Sequence, residues 1–192
     1  FEFTKRDNNA NYSEESATKI NFNGSSVTVS GNGASVSGST VTLSKAETYI
    51  LSGETDDGMV IVNCGDDDKL QIVLDGVSIY NKNGPAFYVK NADKAAVTLA
   101  SGSENTLSDG ASYSYKDGSS NVDATLFSRA DISFNGSGKL TVNGNNKHGI
   151  CSKDDLVFTG GVYSVKSSGV AINGKDCVKI SDATLDISAG TD

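Results

Sequence analysis

The chain has 192 residues, a net charge of −8, one proline, no tryptophan, three cysteines and 21 glycines. So acidic a balance lacks the basic stripe that a phosphate backbone requires, and nucleic acid is not an expected partner. Its apolar runs are a few residues each, far short of the roughly 20 that span a bilayer, so no membrane insertion is expected; abundant turn residues point to an all-β domain.

Residues 1–19 are polar and aperiodic and read as an N-terminal leader, wrapped on the domain or partly disordered, with little function. No charged-then-apolar segment precedes Phe1, so any signal peptide is expected to have been removed or to lie outside this sequence. From Ile20 onward, short alternating runs such as Val27/Val29, Val41/Leu43 and Ile72/Leu74 are bounded by Gly, Asn, Ser or Asp, the pattern of strands with tight turns. Asp66, Asp67 and Asp68 form an acidic turn that reads as a solvated corner. Cys64, Cys151 and Cys177 lie among β-branched residues without metal or redox spacing. They are expected to be free thiols.

Self-similarity organises the rest of the chain. GICSKDDLVFTGGVYSV from Gly149 overlies AINGKDCVKISDATLDI from Ala171, bringing Ile150 onto Ile172, Lys153 onto Lys175, Asp154 onto Asp176, Leu156 onto Val178 and Phe158 onto Ile180. The segment from Thr125 overlies the first of these, with Leu126 on Ile150, Arg129 on Lys153, Ile132 on Leu156 and Phe134 on Phe158. A weaker copy matches Ile72 to Val97 and Leu74 to Leu99. A period in the low twenties without helical segments predicts a single-stranded right-handed parallel β-helix, a solenoid occupying residues 20–192. One interruption, Ser108 to Asp123, is a polar loop carrying Tyr113 and Tyr115, and a loop this long in a regular repeat is a candidate functional element.

The alignment stacks Arg129, Lys153 and Lys175 in one column, Asp154 and Asp176 in the next, and Asp131 and Asp155 beside them. Two carboxylates about 5 Å apart repel by roughly 3 kcal/mol at an effective dielectric near 20. Calcium, which takes six to eight oxygen ligands, is the expected neutraliser, against a plain solvated charge ladder. The only histidine, His148, sits in a turn with Asn145 and Asn146 and either contacts sugar or is structural. Tyr113 and Tyr115 could offer flat faces to sugar rings. Lys153 and Lys175 are candidate substrate contacts, and candidate bases for a calcium-dependent polysaccharide lyase. Their aspartate neighbours argue for binding without cleavage, since a stabilised ammonium is a poor base.

The segments VTVSGNGASVSGSTVTLSKAETYILSGETDDG, IVLDGVSIYNKNGPAFYVKNAD, LASGSENTLSDG and NGNNKHGICSKDDLVFTGG together resemble the calcium-associated, cellulose- and acid-sugar-binding β-helix proteins of anaerobic clostridia, relatives in fold of pectate lyases. The resemblance implies a secreted or cell-surface protein that binds plant-cell-wall polysaccharide. It also implies calcium held by Asp154, Asp155 and Asp176. Where Ala130 stands, similar proteins carry an acidic residue. SAGTD at the C-terminus resembles the middle of a further repeat, so C-terminal rungs or a cap are expected to be missing. A second chain or oligomer contact is expected to cover that end and complete an ion site at Asp192. A calcium-dependent lyase and a surface adhesin or scaffold are the alternatives to a carbohydrate-binding module.

Overall fold

In parallel strands, residues in register stand one above another, so the repeat decides which side chains share a column. The computed structural model describes residues 2–118 and 121–191. Its strands, in chain order, are β1 (Thr18–Asn23), β2 (Ser26–Ser30), β3 (Ala34–Ser37), β4 (Thr40–Leu43), β5 (Thr48–Thr55), β6 (Met59–Asn63), β7 (Lys69–Asn81), β8 (Phe87–Asn91), β9 (Lys94–Leu99) and β10 (Glu104–Asp109). After the loop come β11 (Ala124–Ser128), β12 (Asp131–Gly136), β13 (Lys139–Gly144), β14 (His148–Ser152), β15 (Leu156–Phe158), β16 (Val162–Ser167), β17 (Ile172–Gly174), β18 (Val178–Ile180) and β19 (Thr184–Ala189).

Their arrangement corrects the expected single-stranded right-handed parallel β-helix. The strands form a 12-stranded, mostly parallel sheet and a separate 7-stranded sheet, ordered β17-β14-β11-β8-β6-β4-β3. Antiparallel pairs β1/β2 and β3/β4 open the chain. In the large sheet the 13-residue β7 pairs with β9 through its first half and with β10 through its second. Two limbs therefore hang from one strand: β9, β12, β15 and β18 on one side, β10, β13, β16 and β19 on the other. β5 follows β7 through both halves. Gly53 and Gly76, at φ +81° and +74°, supply the bends, and a Cβ at Gly53 would lie 2.0 Å from the Phe22 carbonyl oxygen. The repeat is real, but it reports register between successive parallel strands, which two stacked sheets satisfy without one uniform solenoid.

Within those sheets the inward columns are apolar. Tyr49, Ile72, Val97, Phe134, Phe158 and Ile180 are in register along the first limb. Val60, Phe87, Leu126, Ile150 and Ile172 are in register along the second sheet, and Ile79, Leu107, Val142, Val165 and Ile187 along the second limb. They meet in one core. The columns run out at the last strands, where Val178, Ile180 and Ile187 are 42%, 54% and 48% exposed. Ile180 is thus in its expected column yet faces solvent.

The N-terminal segment crosses the outer face of the first limb. Tyr12 and Ala17 pack on Ile50, Val73 and Ala100. Asn135, itself buried, donates to the carbonyls of Asp7 (3.1 Å) and Asn9 (3.4 Å), and the Thr159 hydroxyl donates to the Asp7 carbonyl as well. The Asp7 carboxylate lies 2.6 Å from Lys94 Nζ, both side chains buried. Since β1 begins at Thr18, the division expected after residue 19 falls inside a strand.

Candidate functional site

Outward-facing residues of the second sheet form a column of their own: Ile61, Tyr88, Phe127, Cys151 and Asn173. The loop between β10 and β11 lies across this apolar strip. Tyr115 meets Tyr88 edge-on at 6.2 Å, and Val122 packs with Tyr88, Phe127 and Cys151. Cys64, Cys151 and Cys177 are free thiols. Burial pushes the Cys151 thiol up to about 12, so it serves as packing rather than as a nucleophile.

A fully buried carboxylate, Asp109, fastens the base of the loop. It accepts from the Tyr113 hydroxyl (2.5 Å) and from the backbone N–H groups of Asn145 (2.5 Å) and Asn146 (3.4 Å). Burial raises the Asp109 carboxyl above its ordinary range in spite of these donors. The Asn145 side chain donates to the Asp109 carbonyl at 2.6 Å and to Ser108 Oγ at 3.3 Å. Asn145 and the Tyr113 hydroxyl, both expected as sugar contacts, are therefore spent on holding the loop. The flank of Tyr113 remains available, and with Tyr115, Lys116, Asn121, Asp123, Asn146 and Lys147 it lines a cleft of about 600 Å³. That volume falls in the range of small-molecule binding sites.

His148 stands behind this cleft. Its Nδ1 accepts from the Val170 N–H at 3.0 Å, which puts the proton of the neutral ring on Nε2, 3.8 Å from Asp123. Burial lowers its pKa against the pull of Asp123. Lys147 pairs with Asp123 at 2.7 Å. His148 orients the turn rather than lining the cleft.

Beside the apolar strip runs a basic column. Arg129, Lys153 and Lys175 continue the parallel ladder, their amides donating to the carbonyls of Val89, Ser128 and Ser152. Lys90 stands two residues past Tyr88, as Arg129 does past Phe127, and completes the column. The 110–123 loop interrupts the sequence repeat there, so alignment missed Lys90. Asp117 of the loop reaches this column: Lys90 donates to it at 2.9 Å, the Tyr88 hydroxyl at 2.6 Å, and Arg129 Nη2 stands 3.6 Å away. Those contacts hold the Asp117 carboxyl below the usual range, the Tyr88 hydrogen bond foremost and that of Lys90 next. Lys153 lies over the Phe127 ring at 5.5 Å. Among the described residues neither Lys153 nor Lys175 has a carboxylate within ion-pair reach, so the expected stabilisation of these ammonium groups by neighbouring aspartates is not found.

Across the turn from Lys153, the carboxylates of Asp131, Asp154 and Asp155 lie within 4.8 Å of one another. Burial, then the proximity of Asp154 and Asp155, raises the Asp131 carboxyl. Asp155 is held low by hydrogen bonds from Cys177 and Lys179. Its two oxygens are therefore occupied, while Asp131 uses one of its own for the Asp155 N–H at 3.2 Å. The remaining oxygens fit a hard cation completed by water. Asp176 is exposed and outside this group; Asp192 lies outside the described residues.

A family profile described as carbohydrate-binding domain-containing protein matches residues 37–192. A protein of that description from Acetivibrio thermocellus is 38% identical over 128 residues, which are 66% of this chain and 45% of the relative. The chain thus matches less than half the length of that curated relative. Among solved structures, the polysaccharide lyase-like protein from C. thermocellum, as its gadolinium derivative, is similar with a TM-score of 0.87 and 37% identity, covering 90% of this chain and 71% of the other.

Proposed function

The chain belongs to the carbohydrate-binding domain-containing proteins, and from that premise we propose that it binds plant-cell-wall polysaccharide, including acidic polymers such as polygalacturonate, without cleaving it. The observation that carries the acidic part is a pair of ammonium groups, Lys153 and Lys175, that have no carboxylate partner among the described residues of a chain of net charge −8; Lys153 lies over the Phe127 ring, which packs with Val122 of the tyrosine-lined cleft. Tyrosine flanks, amides and lysines are the groups that sugar rings and uronate carboxylates use. A secreted or cell-surface location follows from the same reading, since that polymer is extracellular. The test is retention on insoluble cellulose and in polygalacturonate gels. The wild type is expected to be retained on polygalacturonate, and Lys153→Met/Lys175→Met to lose most of that retention. Equal retention of both would overturn the site. Absorbance from unsaturated uronate would instead make the protein a lyase, the reading that the polysaccharide lyase-like relative favours.

Calcium at Asp131 and Asp154 is part of the same proposal. The donor set supports it: hard oxygens from the first residue of β12 and from the turn between β14 and β15, whose mutual repulsion a cation relieves. Calcium at a hundredfold excess over its Kd is expected to raise the melting temperature by roughly 5–10 °C. Asp131→Asn/Asp154→Asn should abolish the rise. A wild type whose melting ignores calcium would end the proposal.

A further inference from the structure

Asp117 is the one carboxylate within ion-pair reach of the basic column among the described residues. It is delivered by the loop that also builds the cleft, and its receptor is incomplete. Arg129 gives Nε to the Tyr88 hydroxyl at 2.5 Å, whereas its Nη2 is buried without a hydrogen-bond acceptor, Asp117 stopping 3.6 Å short. Buried guanidinium donors are normally satisfied, and the fork geometry of arginine favours a carboxylate that takes two of them. Nor does the loop depend on Asp117 for its position. Its base is fixed by Asp109, Tyr113 and Asn145, and the amides of Ser114 and Tyr115 donate to the Asn83 carbonyl.

We infer that Asp117 is an internal stand-in for the carboxylate of an acidic sugar: it occupies the Lys90–Arg129 half of the basic column, and a uronate residue of the polysaccharide displaces it to bind there. The inference rests on the acidic-polysaccharide reading above and adds the element that sets its affinity. Ligand carboxylates on Lys153 and Lys175 would extend along the column, one tier of parallel strands at a time, into the half that Asp117 holds.

Isothermal titration with tetragalacturonate, and with cellotetraose as the uncharged control, tests it. Asp117→Asn keeps the size of the side chain and an acceptor for Tyr88 but removes the competing charge. It is expected to bind tetragalacturonate about threefold to tenfold more tightly than the wild type, the worth of one surface ion pair, with cellotetraose unchanged. Adding Arg129→Met should cancel the gain. Were Asp117 only a latch, Asp117→Asn would bind both sugars equally well or more weakly than the wild type, and that result overturns the inference while leaving the polysaccharide reading intact. Failure of wild type and variant alike to bind tetragalacturonate overturns both.

Discussion

Lys94→Met is expected to lower folding stability by about 3–5 kcal/mol, because it strands the Asp7 carboxylate without a counter-charge. The two side chains are 7% and 2% exposed and 2.6 Å apart. Burial alone would raise the Asp7 carboxyl, but the Lys94 hydrogen bond, those of Thr4 and the Lys94 charge outweigh it, so it titrates below its ordinary range. A depressed carboxyl contributes stability that is present above its unfolded-state pKa of about 4 and is lost as pH falls through the folded-state value. Resistance of the wild type to urea should accordingly weaken below about pH 4, and the variant should lose part of that pH dependence. Asp7→Asn/Lys94→Met removes both charges and should recover much of the loss, because the damage lies in the unpaired ion rather than in the absent pair. A single variant as stable as the wild type would mean that the N-terminal segment does not depend on this anchor.

That anchor was invisible in the sequence for a physical reason. Asp7 and Lys94 meet outside any repeat spacing, and the segment's other ties to the first limb run partly through backbone carbonyls, those of Asp7 and Asn9 receiving Asn135 from more than a hundred residues away. Carbonyls carry no residue signature, so an aperiodic polar stretch reads as a loose leader. The columns were legible because every inward position of a parallel stack repeats the same demand for apolar volume. Leu126, Ile150 and Ile172, and Phe134, Phe158 and Ile180, pair as the repeat requires. The same logic could not reveal how strands are grouped into sheets. That depends on β5 and β7 pairing on both sides of their glycine bends, across a register shift between Leu51 and Gly53, which merges two faces into one sheet.

The site shows the same division. Arg129, Lys153 and Lys175 were found by their spacing, and Asp131, Asp154 and Asp155 by theirs. Lys90 was lost because the loop stretches the step from Lys90 to Arg129 well beyond the usual repeat. Asp109 and Asp117 sit at the edge of and within that aperiodic loop, where only a folded arrangement shows that one is a buried fastener and the other a surface partner. His148 and Asn145, chosen by residue type, turn out to hold the turn on which the loop rests.

Phe158→Ala is expected to cost about 3–5 kcal/mol, the usual range for emptying a fully buried aromatic site. Phe158 stacks on Phe134 with centroids 5.0 Å apart and planes 11° from parallel, and Tyr163 meets it edge-on at 5.0 Å. All three are fully buried, so the cavity would have rigid aromatic walls and little means of closing. The melting temperature should drop by about 10 °C. Phe158→Leu, which retains most of the volume, should cost about 1–1.5 kcal/mol. The informative comparison is Ile180→Ala, one strand further along the same column. Ile180 is 54% exposed, so its truncation should change stability by no more than about 0.5 kcal/mol. If Ile180→Ala proved as damaging as Phe158→Ala, the Ile180 face would have to be covered in solution.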